Sequence, residues 1–405
     1  MNWALSIPQD PVLPQLPLAL DTGRMAREFE DQLCAEVGDE ASRSPARVRV
    51  HSCRIDRVKY KPGYNCLVQY RLGIRDERTG QRGAQSYTAR IYARGGSSSR
   101  YVKARREPAF SPDYGPPLLH MKQLEMVAWA FPNDRKLRGL PALTDVARLQ
   151  HELLPAVVAS RWGSDWRIQA VSPDLAHLVP EHTCCVCVDV QLRNDRTARA
   201  RSWRLYGKTY YNGQGEAAYR NMRRLWASDA CCRGELKMAR PMAYQCADRL
   251  LWQEGLPGQT LLSIARDGNL RRCLVERTAK AVAALHRSDI ACAEEVGIDR
   301  ILGKLETTRA LVALAQPGCA GAVSEVVDRL VAKAPDGCRA SKATVHRDLH
   351  PKNIIVDADE LAIIDLDDLA RGPALHDIGS FVATMLCRAM LQGVPLVNVE
   401  RTVES

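Results

Sequence analysis

One stretch constrains this chain more than any other: His346 to Asp368, which reads HRDLHPKNIIVDADELAIIDLDD. Asp348 stands five residues before Asn353, and the apolar run Ile354-Ile355-Val356 follows. A charged turn, Asp357-Ala358-Asp359-Glu360, leads into a second apolar run, Leu361-Ala362-Ile363-Ile364, which ends at Asp365. Two short β-branched runs across a polar turn predict a β-hairpin. A hairpin closes its own ends, so Asn353 and Asp365 are expected to face each other, with Asp348 just upstream. Two of these oxygen-bearing side chains can hold Mg²⁺ beside a nucleotide phosphate, and the third can accept a proton from a hydroxyl nucleophile. A polar loop beside a surface hairpin would have the same composition, so the ordered spacing is what carries the reading.

The spacing resembles that of the aminoglycoside phosphotransferase and choline kinase group, which shares the protein-kinase-like fold. The matching residues are His346-Arg347-Asp348, Asn353, Ile364-Asp365-Leu366-Asp367, and then Pro373 with Asp377. The resemblance implies an α+β, two-lobe fold: a small antiparallel β lobe and a larger, mainly helical lobe. It makes Asp348 the catalytic base and Asn353 and Asp365 metal ligands, with Asp367 a second metal contact or an orienting group. Lys352 is placed near the γ-phosphate or facing water, His346 in a structural role, and Asp377 at the start of the last helix, bracing the catalytic loop. ATP and Mg²⁺ are the implied cofactors. The implied reaction moves the γ-phosphate to a hydroxyl of a small molecule: a sugar, an aminoglycoside or a choline-like compound. The alternative is a catalytically silent nucleotide-binding or scaffold protein of the same fold.

An internal repeat locates the β lobe. Residues 62–95 align without a gap on residues 180–213: Pro62 with Pro180, Cys66 with Cys184, Val68 with Val186, Arg75 with Arg193, Tyr92 with Tyr210 and Gly95 with Gly213. Both copies carry period-two strands around a charged turn, the pattern of a duplicated strand-turn-strand unit. Copy two has Lys208 where copy one has Arg90. An arginine keeps the charge but not the compact ammonium. In the family's fold a lysine on the third strand meets the α- and β-phosphates, so Lys208 is expected to serve there and copy one to be a degenerate partner. Glu216, the only acid of the following helix-like segment to Trp226, is the candidate to pair with Lys208. Copy one is expected to run into the proline segment Pro108, Pro112, Pro116, Pro117 in place of a helix. The resemblance puts the interlobe hinge near Gln253 to Leu256, where the chain would meet adenine. No Gly-x-Gly-x-x-Gly loop precedes Lys208; Val179 to Thr183 occupy that place.

The sequence divides accordingly into an N-terminal extension (1–45), a degenerate lobe-like cap domain (46–165), a nucleotide-binding lobe (166–255) and a helical lobe (256–405). Residues 1–25 are proline-rich and read as irregular, and Asp21 to Val37 has helical spacing. Val146–Val158, Leu274–Leu285, Val323–Val331 and Ile378–Leu386 carry helical apolar stripes. The chain stops at Ser405, 28 residues after Asp377, where the family commonly continues, so the helical lobe is expected to be shortened.

Composition excludes more than it selects. No apolar run approaches the roughly 18 residues needed to cross a bilayer, and the N-terminus lacks a signal-peptide pattern, so a cytoplasmic protein without a membrane partner is expected. The 14 cysteines are scattered or strand-borne and lack paired CxxC spacing, which favours reduced thiols over disulfides or zinc. The formal charge is +10, yet Leu256 to Ser405 holds 18 Lys+Arg against 20 Asp+Glu, so the excess lies in the first 255 residues. Without a nucleic-acid-binding motif, that excess reads as solvated arginine-rich surface, and nucleic acid ranks last among the partners considered. The oligomeric state and the identity of the acceptor are not readable from these residues.

Overall fold

A β-strand alternates its side chains, and the alternation in this chain builds two five-stranded antiparallel sheets of the same strand order. The computed structural model describes residues 10–34, 48–107, 110–334, 342–358 and 360–391. They fall into two units, residues 1–145 with 177–184, and residues 146–176 with 185–405.

The first unit begins with the helices α1 (Leu16–Leu20) and α2 (Thr22–Cys34). It continues through β1 (Val48–Lys61), β2 (Asn65–Asp76), β3 (Arg82–Tyr92), α3 (Gly96–Ala104), β4 (Leu118–Met121), β5 (Met126–Ala130) and α4 (Leu140–Thr144). The sheet order is β1-β2-β3-β5-β4. Met25, Phe29 and Leu33 recur at one face of α2 and are buried against Tyr70, Leu72, Ile74 and Tyr87 of the sheet. Phe29 meets Tyr70 edge-on with ring centroids 5.2 Å apart. Two expectations are corrected here. The segment before residue 25 is not wholly irregular, because α1 forms with Pro17 in its first turn, where a missing N–H costs nothing. A helix, α3, does follow copy one: the prolines start at Pro108, beyond its last residue Ala104, and delimit it rather than replace it.

The second unit opens with α5 (Val146–Arg148), a π-helical turn at Leu149–Leu153 and α6 (Pro155–Trp162). The helical stripe over 146–158 is thus broken ahead of Pro155, which has no N–H to continue the ladder. The second sheet comprises β6 (Trp166–Val179), β7 (Thr183–Asn194) and β8 (Ala200–Tyr210). After α7 (Gln214–Trp226), α8 (Asp229–Cys232) and β9 (Lys237–Met238) it is completed by β10 (Pro241–Gln245) and β11 (Leu250–Glu254). Its order is β10-β11-β8-β7-β6. β6, β7 and β8 each start and end 118 residues after β1, β2 and β3. The gapless repeat seen in the sequence is therefore a repeat of three whole strands.

After β11 come β12 (Gln259–Thr260), α9 (Leu261–Arg266), α10 (Arg272–Arg287), α11 (Ile298–Ala315), α12 (Ala320–Ala332) and β13 (Lys342–Val345). Then follow β14 (Ile354–Asp357), β15 (Glu360–Ile363), β16 (Ala370–Pro373) and α13 (Leu375–Leu391). β14 and β15 form the expected hairpin, pairing Ile354 with Ile363 and Asp357 with Glu360. β12 and β9 flank it in a four-stranded sheet. One apolar cluster joins Met222, Leu225 and Leu251 of the β lobe to Leu285, Leu349, Ile354, Ile363 and Leu366 of the helical lobe. The hairpin is thereby fixed against both lobes of this unit. Among the described residues no helix is long and apolar enough to cross a membrane.

Candidate functional site

The loop ahead of the hairpin is held from beneath by Asp377. Its carboxylate is fully buried and accepts the backbone N–H groups of His346 and Arg347, each at 2.8 Å. His286, at the end of α10, lies 3.0 Å from the same carboxylate. Burial alone would push this acid's pKa up, but hydrogen bonds from His286, His376 and the two backbone amides hold it well below the usual carboxylate range. Arg347 adopts φ +72°, a left-handed conformation unfavourable to a side chain, and the Asp377 contacts on either side of that peptide stabilise it. His346 is buried and donates from Nε2 to Ile364 O at 2.9 Å, which links the loop to the far strand of the hairpin.

Asn353 sits buried at one end of the hairpin, in the turn Pro351–Asn353. It donates from Nδ2 to Asp348 O at 3.0 Å, and its own carbonyl accepts Ile364 N at 2.9 Å. Asp365 follows Ile364 directly, with φ +60°. The hairpin therefore sets Asn353 and Asp365 on adjacent strand ends at its open end, with Asp348 at the start of the preceding loop. The Asp348 side chain is two-thirds exposed, 67%, and His350 Nε2 lies 3.7 Å from its Oδ2. Lys352 is exposed beside them.

Lys208 arrives from β8. Its ammonium lies 2.7 Å from Asp365 Oδ1 and also contacts Asp367 Oδ2. Tyr210, two residues on, donates its hydroxyl to Asp367 Oδ2 at 2.8 Å. Burial would lower the lysine pKa, but Asp367 and Asp365 raise it well above its ordinary value, so the ammonium is charged. For Asp365, burial opposes ionisation, yet Lys208 beside it brings its pKa below the ordinary value. Asp367 is raised by burial, and the Asp365 charge adds to the rise. Its second oxygen, Oδ1, is buried with no hydrogen-bond partner among the described residues.

The other expected site residues lie elsewhere. The acids that pair with Lys208 are Asp365 and Asp367 and not Glu216, whose half-exposed carboxylate meets Arg220 one helical turn away. Glu216 stands in the first turn of α7, where a carboxylate is favoured by the helix N-terminus and the next turn supplies the arginine. Gln253 turns its amide to Met222 Sδ at 3.4 Å, so its side chain engages α7. Residues that the sequence reading missed also join the two lobes of this unit. Tyr210 does so through Asp367, Gln214 donates to Asp368 Oδ1 at 2.8 Å, and Asn221 donates to Leu369 O at 3.4 Å. Tyr210 was visible as a repeat match to Tyr92, but nothing in its neighbours announced a partner 157 residues away.

The orphaned Asp367 oxygen beside the Asp365 carboxylate offers oxygen donors of the kind a hard cation such as Mg²⁺ takes, an ion that keeps several waters and needs few protein ligands. Among the described residues, no cluster of three or more His, Cys, Asp or Glu forms a denser metal cage.

A family model, the phosphotransferase enzyme family, matches residues 190–393, just over half of the 405-residue chain. The chain belongs to the phosphotransferase enzyme family. Its fold is α+β and protein-kinase-like, with two lobes preceded by an additional β-containing N-terminal region. Among solved structures it is similar to an aminoglycoside phosphotransferase from Streptomyces rimosus in complex with ADP and streptomycin, at 16% identity and TM-score 0.33, over 63% of this chain and 96% of that one. It is also similar to choline kinase from Cryptosporidium parvum Iowa II, at 14% identity and TM-score 0.37, over 54% of this chain and 63% of that one. For choline kinase from Streptococcus pneumoniae the identity is 13%, the TM-score 0.36 and the coverage 57% and 74%. No curated protein matches the sequence.

Proposed function

We propose that this member of the phosphotransferase family uses ATP and Mg²⁺ to phosphorylate a hydroxyl group of a small molecule of the sugar, aminoglycoside or choline-like kind. The observation that carries the reading is the loop-and-hairpin geometry. A buried aspartate pins residues 346 and 347, the hairpin pairs Asn353 O with the N–H of Ile364 next to Asp365, and Lys208 reaches the Asp365–Asp367 pair from the other lobe. Phosphoryl transfer requires mainly positioning and neutralisation of charge, which such a cluster can supply.

In this reading Asp348 orients the acceptor hydroxyl and takes its proton; its exposure leaves it open to an incoming substrate. Asn353, Asp365 and Asp367 would hold the metal, which when bound neutralises phosphate charge. Lys208 holds phosphate oxygens once a nucleotide competes with the two aspartates for its ammonium, and Lys352 lies close enough in sequence to assist. Residues 166–255 act as the nucleotide-binding lobe, 256–405 as the helical lobe and 46–165 as the degenerate copy. One observation favours the alternative of a nucleotide-binding scaffold without catalysis: Glu216 faces solvent and leaves Lys208 to the metal-site acids.

The test is ADP release with a panel of hydroxylated metabolites, wild type against Asp348→Ala, with ATP binding measured in parallel. Loss of a general base should lower turnover by about 10²–10⁴-fold while nucleotide binding persists. ATP binding with no turnover by either protein would leave the scaffold reading standing.

A further inference from the structure

The first sheet carries a row of arginines that its own neighbours do not neutralise. In the register of β1, β2 and β3, Arg49 lies opposite Arg75 and Arg75 opposite Arg82. Directly opposed residues of an antiparallel sheet share a face, so three guanidinium groups line up across three adjacent strands. All three are exposed, and among the described residues none has an acid partner. The opposite face, with Tyr70, Leu72 and Ile74, is the buried one. Further along the solvent face, the His51 ring lies across Gly73, where a Cβ would stand 2.4 Å from it. Beyond it Arg54 and Arg71 share the single acid Asp56 at 2.9 and 2.8 Å.

Like charges set directly opposite each other destabilise a sheet. The second sheet keeps two of the three arginines but sets acids among the basic residues of its face. Its counterparts of Arg49, Arg75 and Arg82, 118 residues on, are Arg167, Arg193 and Ala200. There Arg167 pairs with Asp195 at 3.0 Å, Arg196 with Asp165 at 3.0 Å and Arg204 with Asp189 at 2.8 Å. Over equal lengths, residues 48–107 hold 15 Lys+Arg against 4 Asp+Glu, while residues 166–225 hold 10 against 5. Solubility alone does not require the unpaired row, since the second sheet achieves a charged surface with alternating signs.

We propose that this face docks the phosphate backbone of a nucleic-acid duplex. Guanidinium forks match phosphate oxygens bidentately. Strands spaced about 4.8 Å apart make the row about 10 Å long, over which a duplex presents on the order of six phosphate charges. The row's neighbours on the face are His51, Gly73 and Ala84; among the described residues flanking the row there is no exposed aromatic ring to stack single-stranded bases and no aliphatic anchor to enter a bilayer. Recognition would therefore be of backbone charge, without base readout.

The experiment is fluorescence anisotropy of a labelled 20-base-pair duplex against the full-length protein from 50 to 200 mM KCl, with no nucleotide or acceptor present. It therefore stands or falls separately from the phosphotransferase reading. Wild type should bind at 50 mM with an affinity that falls steeply with salt. The triple variant Arg49→Gln, Arg75→Gln, Arg82→Gln should reduce the slope of log K against log salt by about 3. The double variant Arg167→Gln, Arg193→Gln on the second sheet should leave it unchanged. Should the triple variant not fold, Arg75→Gln alone should reduce the slope by about 1. Absence of wild-type binding at 50 mM, an unchanged slope in the first-sheet variants, or binding to phosphatidylserine vesicles in place of the duplex would overturn the proposal.

Discussion

Lys208 on β8 and Asp365 at the end of the β14–β15 hairpin meet at 2.7 Å across 157 residues of sequence. The contact joins the two lobes of the phosphotransferase unit, where the proposed function puts the nucleotide's phosphates. Removing the lysine leaves Asp365 and the buried Asp367 side by side with no cation between them and only the Tyr210 hydroxyl on Asp367. Lys208→Met should lower unfolding free energy by about 3 kcal/mol, since an orphaned buried charge costs more than the pair contributes. It should also abolish nucleotide binding. Lys208→Arg should restore stability better than binding, because a planar fork cannot occupy the compact ammonium position. Chemical denaturation and titration calorimetry separate the two effects.

Asp377 governs the loop without facing the substrate. Asp377→Asn keeps the shape but weakens one charge-assisted bond to the backbone and sets its NH₂ against the other N–H donor, and it should cost about 2–3 kcal/mol of stability. Turnover should fall more than substrate affinity, because the loop positions Asp348. The pH dependence has a definite sign. The folded pKa of Asp377 lies below its unfolded value of about 3.9, so the carboxylate's contribution is present above that value and is lost as pH falls through and below it. Denaturation midpoints for wild type should drop steeply below about pH 4, and those of Asp377→Asn should drop less.

Within the first unit, Glu181 has φ +58° where its counterpart in the repeat is Gly63, φ +66°. Asp134 accepts Glu181 N at 2.9 Å as Asp10 accepts Gly63 N at 2.8 Å, so the turn and its anchor are duplicated. The side chain explains why a glutamate stands in a left-handed position: it binds Arg90 at 2.9 Å and Arg135 at 2.7 Å. Arg90 is the counterpart of Lys208, and here it is held by protein. Glu181→Gln should destabilise the fold by about 3 kcal/mol. Glu181→Gly should lose nearly as much, the relief of backbone strain being worth only about 1 kcal/mol. Thermal unfolding of the two variants checks the order.

Tyr210→Phe removes one hydrogen bond to Asp367 and should cost about 1 kcal/mol with ATP affinity reduced only a few-fold. A loss as large as that of Lys208→Met would mean that the hydroxyl, and not the ammonium, organises the aspartate pair.

Much of this was legible locally. The hairpin, Asn353 and Asp365 lie within 13 residues, and their spacing declares both the turn and the convergence. The repeat was legible because strand periodicity survives at a fixed offset. The partners of Lys208 were not legible, because strand neighbours say nothing of what approaches from the other lobe, and the nearest acid in sequence, Glu216, was satisfied by its own helix. The arginine row was likewise hidden. A charge count shows an excess, but only the strand register places Arg49, Arg75 and Arg82 opposite one another. The helix after β3 was obscured by prolines that begin four residues past its end.

The most direct measurement is calorimetric titration of ATP, with and without Mg²⁺, into wild type, Asn353→Ala and Asp365→Asn. The account predicts Mg²⁺-dependent binding by wild type and at least a tenfold loss of it in each variant. Binding that is indifferent to Mg²⁺ and unchanged by both substitutions would contradict it.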